Sequence, residues 1–241
     1  MWRMLESRRI MTQTSAIVEN LERVRERIAR AAGRAGRLAE EITIVAVSKT
    51  FPAEAIRAAH EAGLRHFGEN RVQEFEAKRA KLTGLDATWH FIGHLQSNKV
   101  RRAVHLFDRI DSVDSWTLAS KLDQAAAEEK RRLPVLIEVH LGNETTKSGV
   151  AEMDAAALTE GISLLPHLEL RGLMAIPPYF ENSELARPYF RRLRELRDEL
   201  SVQVGCPLPV LSMGMSHDFD VAIEEGATET RLGTILFGSR R

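Results

Sequence analysis

Between residues 15 and 33, apolar side chains recur at Ile17, Leu21, Val24 and Ile28, while Glu19, Arg23, Glu26 and Arg30 take the other face. This spacing predicts an amphipathic helix laid on a larger body. Further along, the pattern changes to short apolar, β-branched runs. They fall at 42–48 (ITIVAVS), 65–67 (RHF), 88–92 (TWHFI), 107–112 (FDRIDS), 134–140 (PVLIEVH), 168–175 (LELRGLMA), 208–212 (LPVLS) and 228–232 (TETRL). Helical patterns separate them at 52–62, 72–82, 116–130, 153–164, 189–200 and 218–225. Pro52 suits a first helical position and Gly63 the position past a helix end. Strands alternating with helices imply parallel pairing through right-handed crossovers. Eight such units in 241 residues predict an α/β fold, a single closed (β/α)8 barrel of the TIM type with an extra N-terminal helix. The shortest run, 65–67, leaves an open doubly wound sheet as the alternative. With no linker and no low-complexity segment, one domain over 15–241 is expected, after a loose tail at 1–14 in which Met11 is an alternative start.

Composition narrows the partners. Lys plus Arg equals Asp plus Glu at 34 each, which gives no reason to expect nucleic acid or a membrane surface. One cysteine, Cys206, cannot form an internal disulfide, which fits a reducing cytoplasm. No apolar run approaches the roughly 18 residues of a membrane span, and the N-terminus has no apolar signal core.

In such a barrel the chemistry lies where the strands end. Strand alternation puts Thr43, Val45, Val47 and Lys49 on one face. If that face is the interior, Lys49 caps it at the functional end, where desolvation lowers an amine pKa and makes it a usable nucleophile. Taken on this strand alone, a lysine that snorkels to solvent is the simpler account. Two later strand ends change the weighing. "LSMGMSHDF" predicts a strand, a small-residue turn and a helix beginning near Ser216, with N–H groups and the Ser212 and Ser216 hydroxyls turned to an anion. "TRLGT" puts Gly233 and Thr234 directly after the last strand, and the loops after strands seven and eight are the usual barrel phosphate site. A lysine facing a phosphate cradle points to a phosphorylated aldehyde held as an imine. Arg231 completes the set: it only donates hydrogen bonds, so beside a pyridine nitrogen it would keep that nitrogen unprotonated. Pairing with Glu229 or Glu224 is the plainer alternative for Arg231.

These residues sit in motifs, "VAVSKTFP", "HFGENRVQEF", "WHFIGHLQSNK", "KSGV", "LRGLMAIP", "LSMGMSHDFDVAI" and "TRLGTILFG", that resemble the YggS/PROSC family of pyridoxal 5'-phosphate (PLP) homeostasis proteins. The resemblance runs from about residue 15 to 238. It implies a PLP fold-type III barrel like the alanine racemase N-terminal domain, monomeric and cytoplasmic. It implies PLP as an imine on Lys49, with phosphate contacts from Ser212, Gly214, Ser216, Gly233 and Thr234. Arg231 would meet the ring nitrogen and Asn70 would line the pocket, while Lys147 matches a second lysine of the family with a role in cofactor transfer. "TRLG" stands where "VRIG" is common, and the longer basic tail of some relatives is absent.

Three functions compete: a PLP carrier with little or no turnover that passes PLP to apo-enzymes, a PLP-dependent amino-acid racemase, and a Schiff-base aldolase. Racemisation needs a base on each face of the substrate, and the two tyrosines, Tyr179 and Tyr189, lie near strand six rather than on an added domain. An aldolase leaves Arg231 without a role. "GNETTKS" lacks the glycine before its lysine and is not a P-loop. His90 and His94 lack a third ligand of suitable spacing, so no metal is expected. "RRLRELRDEL" interleaves acids at Arg191/Glu195 and Arg194/Asp198, which predicts a solvated helix face.

Overall fold

The protein's structure, a computed structural model, describes residues 2–142 and 148–238, with side chains from residue 15 onward. Helix α1 (Trp2–Arg34) is followed by β1 (Thr43–Val47), α2 (Ala53–Glu61), β2 (His66–Glu69), α3 (Val72–Arg79), β3 (Thr88–Phe91), α4 (Val100–Leu106) and β4 (Arg109–Val113). Then come α5 (Trp116–Glu128), β5 (Leu133–His140), β6 (Val150–Ala151), α6 (Glu152–Ser163), β7 (Leu168–Met174) and α7 (Arg187–Val204). The chain finishes with β8 (Val210–Ser212), α8 (Phe219–Glu224), β9 (Glu229–Leu232) and α9 (Thr234–Phe237). The pairing order β4-β3-β2-β1-β9-β8-β7-β5, with β4 also on β5, closes a ring of parallel strands. The two-residue β6 only extends the end of β5. The closed barrel therefore stands, and the open sheet does not.

Alternation explains which side chains go where. Ile42 and Ala46 belong to the core between sheet and helices, whereas Val45 and Val47 are buried outside that core and face the interior. Leu136 and Met174 do the same on β5 and β7. The rest of the interior is polar, with buried His90, Arg109, Asp111, Glu138, Ser212, Glu229 and Arg231. Arg109 spans the barrel from β4 to β9: it donates to Asp111 Oδ1 at 2.5 Å, to Glu229 Oε1 at 2.7 Å and also to Glu229 Oε2. Asp111 in turn meets His90 Nδ1 at 3.2 Å, and His90 Nε2 lies 3.0 Å from His66 Nδ1. Burial alone would raise the Asp111 carboxyl, but Arg109 and His90 hold it well below the usual carboxylate range. His90, Asp111 and Glu229 are close enough to ligate an ion, yet the guanidinium of Arg109 already bridges both carboxylates.

Several elements differ from the sequence pattern. α1 begins at Trp2 rather than near Ser15, consistent with the lack of any Gly or Pro before Gly33. Its Ile17, Leu21, Val24 and Ile28 are all buried against α2, α8 and α9, each contributing about 1.5–3 kcal/mol. α4 has no counterpart in the sequence reading, because seven residues hold too few periods to register. Pro52 caps α2 rather than opening it. Arg191 and Arg194 both reach Glu225, just past the end of α8, instead of following their i,i+4 acids.

Candidate functional site

Lys49 stands two residues beyond β1, half-buried, on the parity of the inward-facing Val45 and Val47. Thr50 after it adopts φ +69°, a left-handed conformation that β-branched residues avoid. Asn70, directly after β2, packs so tightly on the start of the next loop that a Cβ at Gly93 would lie 2.6 Å from the Asn70 carbonyl oxygen. In the ring, β2, β1, β9 and β8 are consecutive, so the ends carrying Asn70, Lys49, Gly233 and Ser212 share one arc of the mouth. Contacts tie that arc together. A Cβ at Gly233 would lie 3.5 Å from Val47, and the Ile235 N–H donates to Ser216 Oγ at 3.4 Å.

The turn after β8 is built around Gly214, at φ +87°, where a Cβ would be 2.6 Å from the Ala222 Cβ and 2.9 Å from the Phe219 Cα. Only glycine lets this turn lie on α8. The Gly214 carbonyl accepts the Arg231 N–H at 3.0 Å, which locks the turn to β9. The N–H groups of Gly214 and Ser216 donate to no acceptor among the described residues. The helix here starts at Phe219, three residues past Ser216, because the Asp218 carboxylate takes the Met215 N–H at 2.6 Å and closes a turn first. The N–H groups turned outward here are therefore turn amides rather than a helix end at Ser216.

Arg231 is fully buried. It donates to the Ser212 carbonyl at 2.6 Å, to Ser212 Oγ at 2.9 Å and to the Ala175 carbonyl at 2.8 Å. The alternative ion pairs are otherwise engaged: Glu229 holds Arg109, and Glu224 holds Arg34 and Arg187. Burial pulls the Arg231 guanidinium down, opposed by Asp111 and Glu138. Thr234, opening α9, completes the arc, and Lys147 lies outside the described residues.

Beside Arg231, an inward acid escaped the sequence reading. Glu138 on β5 is 5% exposed, and burial pushes its carboxyl up to about 7, against the pull of Arg231. Its signal was an acid inside the apolar run "VLIEVH", on the parity of an inward position. His94 is exposed, with Nδ1 3.3 Å from Asp114 Oδ2, away from the buried His90.

Residues 15–241 match the family model described as alanine racemase, N-terminal domain. A pyridoxal phosphate homeostasis protein of Aquifex aeolicus is 51% identical over 92% of this chain and 98% of its own length. One from Escherichia coli K12 is 42% identical over 93% and 97%. The structure of PipY from Synechococcus elongatus, solved with PLP bound, superposes with a TM-score of 0.82 at 43% identity, covering 92% of this chain and all of that one. Alanine racemase of Corynebacterium glutamicum shares the fold at 19% identity and TM-score 0.70, with this chain spanning 61% of it. With its closed barrel and these relatives along nearly its full length, the chain belongs to the alanine racemase N-terminal domain family and, within it, to the pyridoxal phosphate homeostasis proteins.

Proposed function

We propose that this protein binds PLP at the mouth formed by β1, β2, β8 and β9, carries it reversibly on Lys49, and serves PLP homeostasis with little or no turnover of its own. The observation that carries the reading is one arc of the mouth that joins a strand-end lysine of inward parity to a turn whose Gly214 and Ser216 amides meet no acceptor among the described residues. The residues fit the cofactor. Ser212, Gly214, Ser216, Gly233 and Thr234 would take the phosphate, Arg231 the ring nitrogen, and Asn70 a wall of the pocket. When bound, PLP supplies an electrophilic aldehyde. Condensation with the Lys49 amine forms a C=N bond and releases one water, so carriage is reversible by hydrolysis or by exchange with another amine.

The case against efficient catalysis comes from Arg231. A guanidinium donates hydrogen bonds but keeps its proton, so a ring nitrogen beside Arg231 would stay unprotonated and the ring a weak electron sink. Apo-enzymes that receive PLP, a monomeric state and a cytoplasmic location belong to the same proposal; among the described residues no helix is long and apolar enough to cross a membrane. The test is an absorbance spectrum with added PLP, then borohydride reduction and peptide mass mapping, with Lys49→Ala as control. Label on Lys49 in the wild type and none in the variant is expected; PLP failing to bind would sink the reading. Racemisation of free alanine or serine at about 1–10³ per second would overturn the absence of turnover.

A further inference from the structure

Behind the mouth, on the side of β1 and β2 turned away from the interior, lies a cluster that cofactor contact does not explain. Lys78 on α3 extends its ammonium under the 48–51 turn. It donates to Glu69 Oε1 at 2.7 Å, Glu74 Oε1 at 3.0 Å, and the carbonyls of Ser48 and Phe51 at 3.2 Å each. Ser48 Oγ donates to the same Glu69 oxygen at 2.7 Å, and the Thr50 N–H donates to Glu74 Oε1 at 2.6 Å. Ser48, Thr50 and Phe51 are thus each clasped by Lys78 or by a carboxylate that Lys78 holds.

Such a clasp is a costly way to pack a helix on a sheet. Glu69 is wholly buried, its other oxygen has no partner among the described residues, and burial raises its carboxyl despite Lys78. Apolar side chains would fill this space with less desolvation. What the arrangement does hold is a strained turn: Thr50 is in a left-handed conformation that a β-branched residue keeps only when its surroundings impose it. Released, the turn would relax toward ordinary φ and swing the lysine between its two clasped neighbours.

We propose that Lys78 is the positioning residue for Lys49: through Glu69, Glu74 and the Ser48 and Phe51 carbonyls it fixes the strained turn that aims the Lys49 amine into the mouth. This rests on the reading of Lys49 as the attachment point. The competing account is a plain structural staple of α3 onto the sheet.

Replacing Lys78 alone strands Glu69 as a buried charge, so the informative variant is K78M/E69Q, with K78R and E74Q beside it. Three readouts follow on wild type and variants: thermal unfolding, hydrogen exchange of the Thr50 amide, and trace acetylation of Lys49 in cofactor-free protein against exposed Lys130. The rate of PLP loading, trapped by borohydride on the Lys49 peptide, is the fourth. Expected for K78M/E69Q is a cooperative melt near that of wild type, faster Thr50 exchange, altered Lys49 acetylation, and loading slowed about 10- to 100-fold. K78R should recover part of the loss. A folded K78M/E69Q with Thr50 exchange and loading as in wild type overturns the proposal. If that variant does not fold, E74Q, which keeps the Lys78–Glu69 pair, decides by the same measurements. Wild type that never traps PLP on Lys49 sinks the carrier reading instead; the exchange and acetylation comparisons, made without cofactor, still decide the role of Lys78.

Discussion

Glu138 stands inside the mouth with Arg231, Asp114 and His94 as its ionisable neighbours, and burial lifts its carboxyl from 4.5 to about 7. Between those values the folded protein keeps a proton that the unfolded chain has released. Stability therefore falls as pH rises through this window and is level above it. The displacement is worth about 3 kcal/mol, so E138Q should abolish the slope and gain on wild type by about that amount at pH 7.5. Melting temperatures of cofactor-free protein at pH 5 and 7.5 check this; parallel curves for the two proteins would show that the proton is not held. The same scale shows what was legible in sequence. The parity of Lys49 was, because it is read from the neighbouring strand residues. Glu138 shared that parity, but nothing local says how dry its surroundings are.

At the scale of elements, the β7–β8 pair limits the site, since Ser212 at the end of β8 anchors the turn around Gly214. Gly172 on β7 is at φ +151°, opposite Val210, and a Cβ there would lie 1.9 Å from the Val210 carbonyl oxygen. G172A must push the strands apart or break their ladder. We expect it to cost at least about 3 kcal/mol in urea unfolding and to weaken PLP binding in parallel. A variant as stable as wild type would show that β8 can move without consequence. Element limits were less legible than element types. The helix expected at Ser216 begins at Phe219 because an aspartate side chain competes for a turn amide, and α4 is too short to show a period. The match of the eight barrel strands to the eight apolar runs reflects a stronger signal, sheet residues buried on both faces.

Across the whole molecule, Arg109 ties β4 to β9 on the opposite side of the ring, through partners 120 positions apart in the chain. R109M would leave Asp111 and Glu229 buried without their cation. The expected loss is about 3–5 kcal/mol by urea unfolding at neutral pH, shrinking on acidification as the two carboxylates take up protons. A pH-independent loss would assign the effect to packing instead. The polar centre also bears on the metal question: His90, Asp111 and Glu229 converge, but around a guanidinium.

The sequence by itself determined the alternation of strands and helices, the inward parity of Lys49, and the glycine- and serine-rich turns after the last two strands. Each is a matter of neighbours along the chain, where periodicity and backbone preference act. Only the tertiary structure decided that Arg231 is held by Ser212 and Ala175 rather than by a carboxylate, that Glu138 is dry, and that Lys78 grips the turn behind Lys49. Those outcomes depend on ring closure and strand register, which bring distant side chains together in a low-dielectric interior. There, the choice of partner is set by which donors and acceptors the closed barrel leaves within reach.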